Sequence, residues 1–404
     1  MIVKINSDLM KVLILGGPNS RNAGGLFNSV RTLGLSLKAY NDTDIHFLMH
    51  DDEYSSEDRK YYEPLPMHTY NVRGPRNLGY SGDILKKFSK IKPDIVHTHG
   101  IWMYFSHANK KYSSLTNTPY VITPRGMLDP WQLKQNFWKD LTKKVALKLY
   151  ERQHLERANC IQALCRSEYE SIRKFGLDNP VAIIPNGTEL PAVYSRSEDY
   201  AHPCCWENNS RRKTLLFLSR IHVKKGLDNL LQAWALTKPA THNWQLVIAG
   251  ETKDFAYMRS LKQLVAQLNI AETVQFIGGN FGQNKASCFI DADAFILPSF
   301  SEGLPMAVLE AMSYKLPVII TPFCNIPEAF EKQAAFEIDT EAASISDGIQ
   351  KLISLSDQER KTMGENGYEL VKEKFTWRKV AQATDEMYQW IKGEKEKPDF
   401  VYLD

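Results

Sequence analysis

Ala294-Phe295-Ile296-Leu297-Pro298-Ser299-Phe300-Ser301-Glu302-Gly303-Leu304-Pro305-Met306-Ala307-Val308-Leu309-Glu310-Ala311-Met312, continued by Pro317-Val318-Ile319-Ile320-Thr321, reads as strand, loop, helix, strand. Ala294–Leu297 is a short apolar run closed by proline, the pattern of a strand buried on both faces of a parallel sheet. Glu302-Gly303-Leu304-Pro305 is a turn into a helix, with Pro305 in the first turn, where a missing N–H costs nothing. A helix N-terminus just past the carboxyl end of a buried strand is where open α/β sheets take up ligands. Free N–H groups and the helix dipole favour a phosphate there.

Two acids mark this turn. Glu302 stands at its mouth. Glu310 follows eight residues later, about two helical turns on, and is expected on roughly the same helix face. A dipole-favoured first-turn acid plus a solvated helix acid would explain the pair if it stood alone. Glu310, however, sits among Met306, Val308, Leu309, Ala311 and Met312. A carboxylate in such a helix needs a specific partner.

The same alternation extends outward. Apolar runs at Val12–Leu15, Ile45–Met49, His68–Val72, Ile95–Thr98, Tyr120–Thr123, Ile161–Leu164 and Val181–Ile184 fill the first half, and Leu215–Leu218, Gln245–Ala249, Val274–Ile277 and a run beginning at Phe336 extend the second. Helical or loop stretches between them predict α/β architecture with doubly wound parallel sheets. A chain of 404 residues is expected to form two domains. The boundaries read as a first domain over 1–188, a polar linker or surface loop over 189–213 and a second domain over 214–375. A helix over 376–392, with Thr376 as its N-cap, and a mixed-charge tail over 393–404, expected to fray, complete the chain.

Composition is that of a globular protein, 43% hydrophobic and 24% charged. A net charge of +3 argues against nucleic acid as a main partner. No apolar run is long enough to span a bilayer, and Val12–Leu15 is too short for a signal-peptide core; Met10 could equally serve as the starting methionine. The six cysteines, Cys160, Cys165, Cys204, Cys205, Cys288 and Cys324, lack Cys-x-x-Cys spacing and read as reduced thiols. These features predict a cytoplasmic protein. Within 131–157, Phe137, Leu141, Val145 and Leu149 recur at four-residue steps beside Lys134, Lys139, Lys143, Lys144, Lys148, Arg152 and Arg157. A core-packed helix with a solvated basic face is the preferred reading; peripheral contact with the inner membrane surface is the alternative.

Candidate functional residues cluster after the strands. The glycine-rich loop Gly16–Gly25 can bring backbone close to phosphate, though it lacks Gly-x-Gly-x-x-Gly spacing and alone reads as a tight turn. His97 and His99 share one strand face, and its carboxyl end favours His99 for function. A hydrogen-bonded structural histidine is the plainer reading. Arg125 opens the loop after Tyr120–Thr123 and suits an anion or hydroxyl. Arg220 and Lys225, at a strand–helix junction, suit a diphosphate as fork and point charge; a solvated basic loop is the alternative. Asp291-Ala292-Asp293 precedes a strand and reads as helix-to-strand punctuation rather than as a metal motif.

Ser-Glu-Gly-Leu-Pro-(x)5-Glu-Ala-Met, with Ser-Arg-(x)4-Lys-Gly at Ser219–Gly226 and Pro-Asn-Gly at Pro185–Gly187, resembles the signature of retaining glycosyltransferases of the GT-B fold, family-4 type. The resemblance runs over roughly 11–392. It implies two Rossmann-like domains facing across a cleft. Glu302 would contact the donor sugar and Glu310 the nucleotide ribose. Arg220, Lys225, Gly24, Gly25 and the backbone at Gly303 and Leu304 would face the donor diphosphate. Many members carry a histidine where this chain has Arg125, leaving His99 or Arg125 to contact the sugar or acceptor. Pro-Arg-Gly-Met-Leu is similar to a surface-polysaccharide subgroup. The implied reaction moves a sugar from a nucleoside-diphosphate sugar, its co-substrate, to a glycan or lipid-linked acceptor, with no metal or other cofactor. A nucleotide-sugar epimerase of the same fold would give no product on an added acceptor, and a non-enzymatic module would be marked by loss of nucleotide binding.

Overall fold

A computed structural model describes residues 9–130, 144–192, 212–238, 243–279 and 283–404. Cys204, Cys205, most of the 189–213 linker and the first half of the basic stretch 131–157 lie outside them. The chain divides into two compact units, one of Met1–Gly187 with Trp377–Asp404, the other of Thr188–Thr376.

The first unit is built on strands Lys11–Pro18 (β1), Asp44–His50 (β2), Met67–Tyr70 (β3), Ile95–His99 (β4), Tyr120–Thr123 (β5), Cys160–Ala163 (β6) and Val181–Ile183 (β7). All seven are parallel, in the order β3-β2-β1-β4-β5-β6-β7. The wholly apolar β1 still alternates. Val12 and Ile14 pack with helices Gly25–Asn41 and Trp377–Ile391, and Leu13 and Leu15 with helices Ile84–Ile91 and Tyr104–Thr116. Burial on both faces requires this continuous hydrophobicity. Register places Gly16 beside His99, and His99 beside Thr123. The loops after β1, β4 and β5 therefore leave the sheet side by side.

The second unit holds Lys213–Leu218 (β8), Trp244–Ala249 (β9), Val274–Gly278 (β10), Ala294–Leu297 (β11), Val318–Ile320 (β12) and Ala335–Glu337 (β13), ordered β10-β9-β8-β11-β12-β13. The order reverses between β8 and β11. Crossovers there leave to opposite sides, opening a crevice beyond the strand ends.

Three expectations need correction. The tail does not fray: Val401–Tyr402 (β14) pairs antiparallel with β7, Val401 opposite Ala182, and Val401 is buried. A two-residue edge strand is hidden by the charge around it. The i+4 stripe seats less of the basic helix than expected, because Val145 and Leu149 are exposed. A π-helical turn at Leu147–Glu151 changes the register, and Tyr150, Glu151, His154 and Leu155 turn inward instead. Glu151 is satisfied there by the Trp102 N–H at 2.8 Å and His154 at 3.0 Å. Glu302, finally, lies in a loop rather than on the helix face with Glu310, since the helix spans Met306–Ser313 with Pro305 at its N-cap.

Candidate functional site

In the second unit the site is assembled by the loops after β8 and β11. Gly226 has φ 70°, and a Cβ on it would stand 2.3 Å from the Pro298 carbonyl oxygen. Only glycine permits that approach. The Phe300 N–H donates to the Lys224 carbonyl at 2.9 Å, tying the two loops together. Lys225 is thereby aimed at Glu302, and the two form an ion pair with side chains only 12% and 11% exposed. The buried Ser299 hydroxyl donates to the same Glu302 oxygen at 2.6 Å. Asn325 Nδ2 donates to the carbonyls of Glu302 and Gly303, each at 2.8 Å, and fixes the loop from below. A Cβ on Gly303 would meet nothing within 4 Å, and no side chain caps the following helix. Its first N–H groups are thus available to an anion.

The partner that Glu310 required is Lys285, on the helix Gln283–Ile290, with Nζ–Oε1 2.5 Å. Glu310 Oε2 is buried with no hydrogen-bond partner among the described residues. An acceptor left in that state calls for a donor. Arg220 is exposed just beyond β8. Asp293 Oδ2 accepts the Thr214 N–H at 2.7 Å, the punctuation role expected of it.

In the first unit, Gly24 adopts φ 60°, ψ −130° and Gly25 opens the helix Gly25–Asn41; neither would bring a Cβ within 4 Å of another atom. The loop before them is held by Asn19 to Asp51, Ser20 to Asp52 and Arg21 to Asp58. His97 is structural: its ring bonds Tyr388 at 2.6 Å and Thr123 at 2.7 Å, and burial pushes its pKa down to about 3. His99 differs. Its Nδ1 accepts from Arg125 Nη2 at 3.0 Å, while its Nε2 is buried and unpartnered among the described residues. Burial, then the neighbouring His97 and Arg125, hold it well below the usual histidine range. Arg125 also donates to Asn186 Oδ1 at 2.5 Å. Burial lowers its pKa to about 10, so it remains a cation at neutral pH. Glu168 anchors this loop by accepting the Gly126 N–H at 2.5 Å and the Leu164 N–H at 2.7 Å.

Sequence reasoning did not single out Lys285, Ser299, Asn325, Glu168 or Asn186 as site residues. Ser299 lies three residues before Glu302 and Asn186 sits in the turn Pro185-Asn186-Gly187, so both carried a local signal; the others have none.

The family model described as "Glycosyltransferase Family 4" matches residues 23–190, and "Glycosyl transferases group 1" matches residues 206–370. A subunit of the human phosphatidylinositol N-acetylglucosaminyltransferase is 22% identical over 347 residues, 85% of this chain and 67% of that protein. Alpha-monoglucosyldiacylglycerol synthase of Streptococcus pneumoniae is 32% identical over 203 residues, 48% of this chain and 44% of that one. The crystal structure of Anabaena Alr3699/HepE in complex with UDP and glucose superposes with a TM-score of 0.73 at 17% identity, covering 94% of this chain and all of that one. The chain is a glycosyltransferase of the group 1/family 4 type, with the GT-B fold.

Proposed function

We propose that this family-4-type glycosyltransferase transfers a sugar, with retention and without a metal, from a nucleoside-diphosphate sugar to a glycan or lipid-linked acceptor in cell-surface polysaccharide synthesis. The observation that carries the reading is the Lys225–Ser299–Glu302 constellation at the β8/β11 switch point. A carboxylate and a cation sit together beside an uncapped helix N-terminus, which matches a donor with hydroxyls at one end and a diphosphate at the other.

In this reading the uncapped helix and Lys225, with Arg220 beside them, stabilise charge that grows on the departing diphosphate. Glu302 orients the sugar through its hydroxyls. Glu310, held by Lys285, takes the ribose through its free Oε2. The acceptor hydroxyl attacks from the leaving-group side and its proton passes to the departing phosphate oxygen. His99 cannot serve as the base, because its free nitrogen carries the proton when Nδ1 accepts from Arg125. Gly24 and Gly25 are assigned to the phosphates by resemblance. No described helix is long and apolar enough to cross a membrane. Exposed Val145 and Leu149 beside Lys148 support contact with the cytoplasmic membrane surface.

Thermal unfolding against UDP, GDP, ADP and CMP tests the donor site. A nucleotide at ~100 times its dissociation constant adds about 2.7 kcal/mol to the unit that binds it, a shift of several degrees. One nucleotide is expected to stand out. Glu302→Ala is expected to abolish transfer while keeping that shift. Normal turnover by the variant, or no shift from any nucleotide, would overturn the reading.

A further inference from the structure

His99, Arg125 and Asn186 come from three segments and meet within the first unit. A guanidinium can only donate, so His99 Nδ1 is the acceptor in their 3.0 Å bond and the proton of the neutral ring lies on Nε2. That Nε2–H is buried without a partner among the described residues, and so is the Nε–H of Arg125. Both orphaned groups are therefore donors. The partners that Arg125 does have are a ring nitrogen and an amide oxygen, both neutral. The charge of Glu168 also acts on Arg125, but with no hydrogen bond between them: both oxygens of Glu168 are engaged by backbone N–H groups. Arg125 is also held at φ 58°, a left-handed conformation that a side chain of this size adopts rarely and mostly at functional positions.

We propose that this cluster is an oxyanion site that recognises an acidic sugar ligand by a carboxylate or a phosphate carried on the sugar. The inference rests on the glycosyltransferase reading, since it takes the ligand to be one of the reacting sugars. A neutral hydroxyl brings a donor of its own to a place already crowded with donors. An oxyanion brings only acceptors and balances the guanidinium, whose fork matches a carboxylate or phosphate edge.

The test is calorimetric titration of the protein, with and without UDP, by glucuronate, glucose 1-phosphate and glucose. One of the two anions is expected to bind at least about tenfold more tightly than glucose, and which one does identifies the group. Asn186→Asp supplies the guanidinium with an internal carboxylate while keeping the His99 Nε2–H and Arg125 Nε–H donors in place. It is expected to weaken anion binding by about tenfold or more and to leave UDP affinity and the unfolding temperature close to wild type. Arg125→Gln should give the same loss. Equal binding of the three sugars, binding of none, or an Asn186→Asp variant with unchanged anion preference overturns the proposal. Failure of the wild-type protein to bind any nucleotide would instead sink the donor-site reading, and the titrations without UDP would still decide the oxyanion site.

Discussion

Lys225 and Glu302 neutralise each other, and this pairing sets what each substitution should do. In the proposed reading Lys225→Ala removes a cation of the phosphate site; it also leaves Ser299 as the side-chain partner of the Glu302 carboxylate among the described residues. UDP affinity is expected to fall by about tenfold or more, and an unchanged affinity by calorimetry would remove Lys225 from the site. Lys285→Met should act through Glu310. With its anchor gone the carboxylate no longer presents Oε2 in one place, so UDP binds about tenfold more weakly. The preference for UDP over its 2′- or 3′-deoxy forms should shrink as well, a change that general destabilisation would not produce. Of these residues Glu302, Glu310 and Lys225 were legible in the sequence, because each lies within a short motif of fixed spacing. Lys285 was not: it is one lysine among many, 25 residues from Glu310. Arg125 and Asn186, 61 residues apart, were each noticed, but their contact was not.

The decisive elements are the two strand-to-helix loops at the β8/β11 reversal. Their strands were readable as apolar runs, and so was the alternation that makes the sheets parallel. The spacing argument failed where it carried helical geometry back into the loop, placing Glu302 on a face it does not share. The loop is instead defined by bonds to distant parts of the chain: Asn325 donates to its carbonyls, and the carbonyls of Phe323 and Lys224 accept the Glu302 and Phe300 N–H groups. Gly226→Ala tests how tightly the loops are joined. The added Cβ meets the Pro298 carbonyl, and the backbone is left-handed. The expected cost is about 1–3 kcal/mol, visible as a lower unfolding temperature together with weakened UDP binding. A variant that kept both would show that the loop tolerates displacement.

At the scale of the molecule, the buried histidines among the described residues fall in the first unit. His97 and His99 are both held below the ordinary histidine range by burial, and both belong to the first unit. Their folded pKa values are depressed, so the unfolded chain binds more protons at mildly acid pH. The stability they allow is present above the unfolded pKa near 6.5 and is lost as pH falls below it. Each contributes a slope approaching about 1.4 kcal/mol per pH unit. The buried Glu168, raised by desolvation, opposes this in part. Denaturant unfolding followed between pH 7 and 5 should therefore show the first unit weakening more steeply than the second. Parallel behaviour of the two would contradict the assignment.

The first unit is also not continuous along the chain. Its sheet is laid down by residue 183, yet the helix Trp377–Ile391, whose Tyr388 holds His97, and the edge strand at Val401 arrive only after residues 188–376 have been made. During synthesis the ribosome exposes an unfinished sheet with part of one face and one edge uncovered, for the time taken to translate the whole intervening unit. At about 5–20 residues per second, that is on the order of ten seconds or more, the interval in which a holding chaperone would have to act.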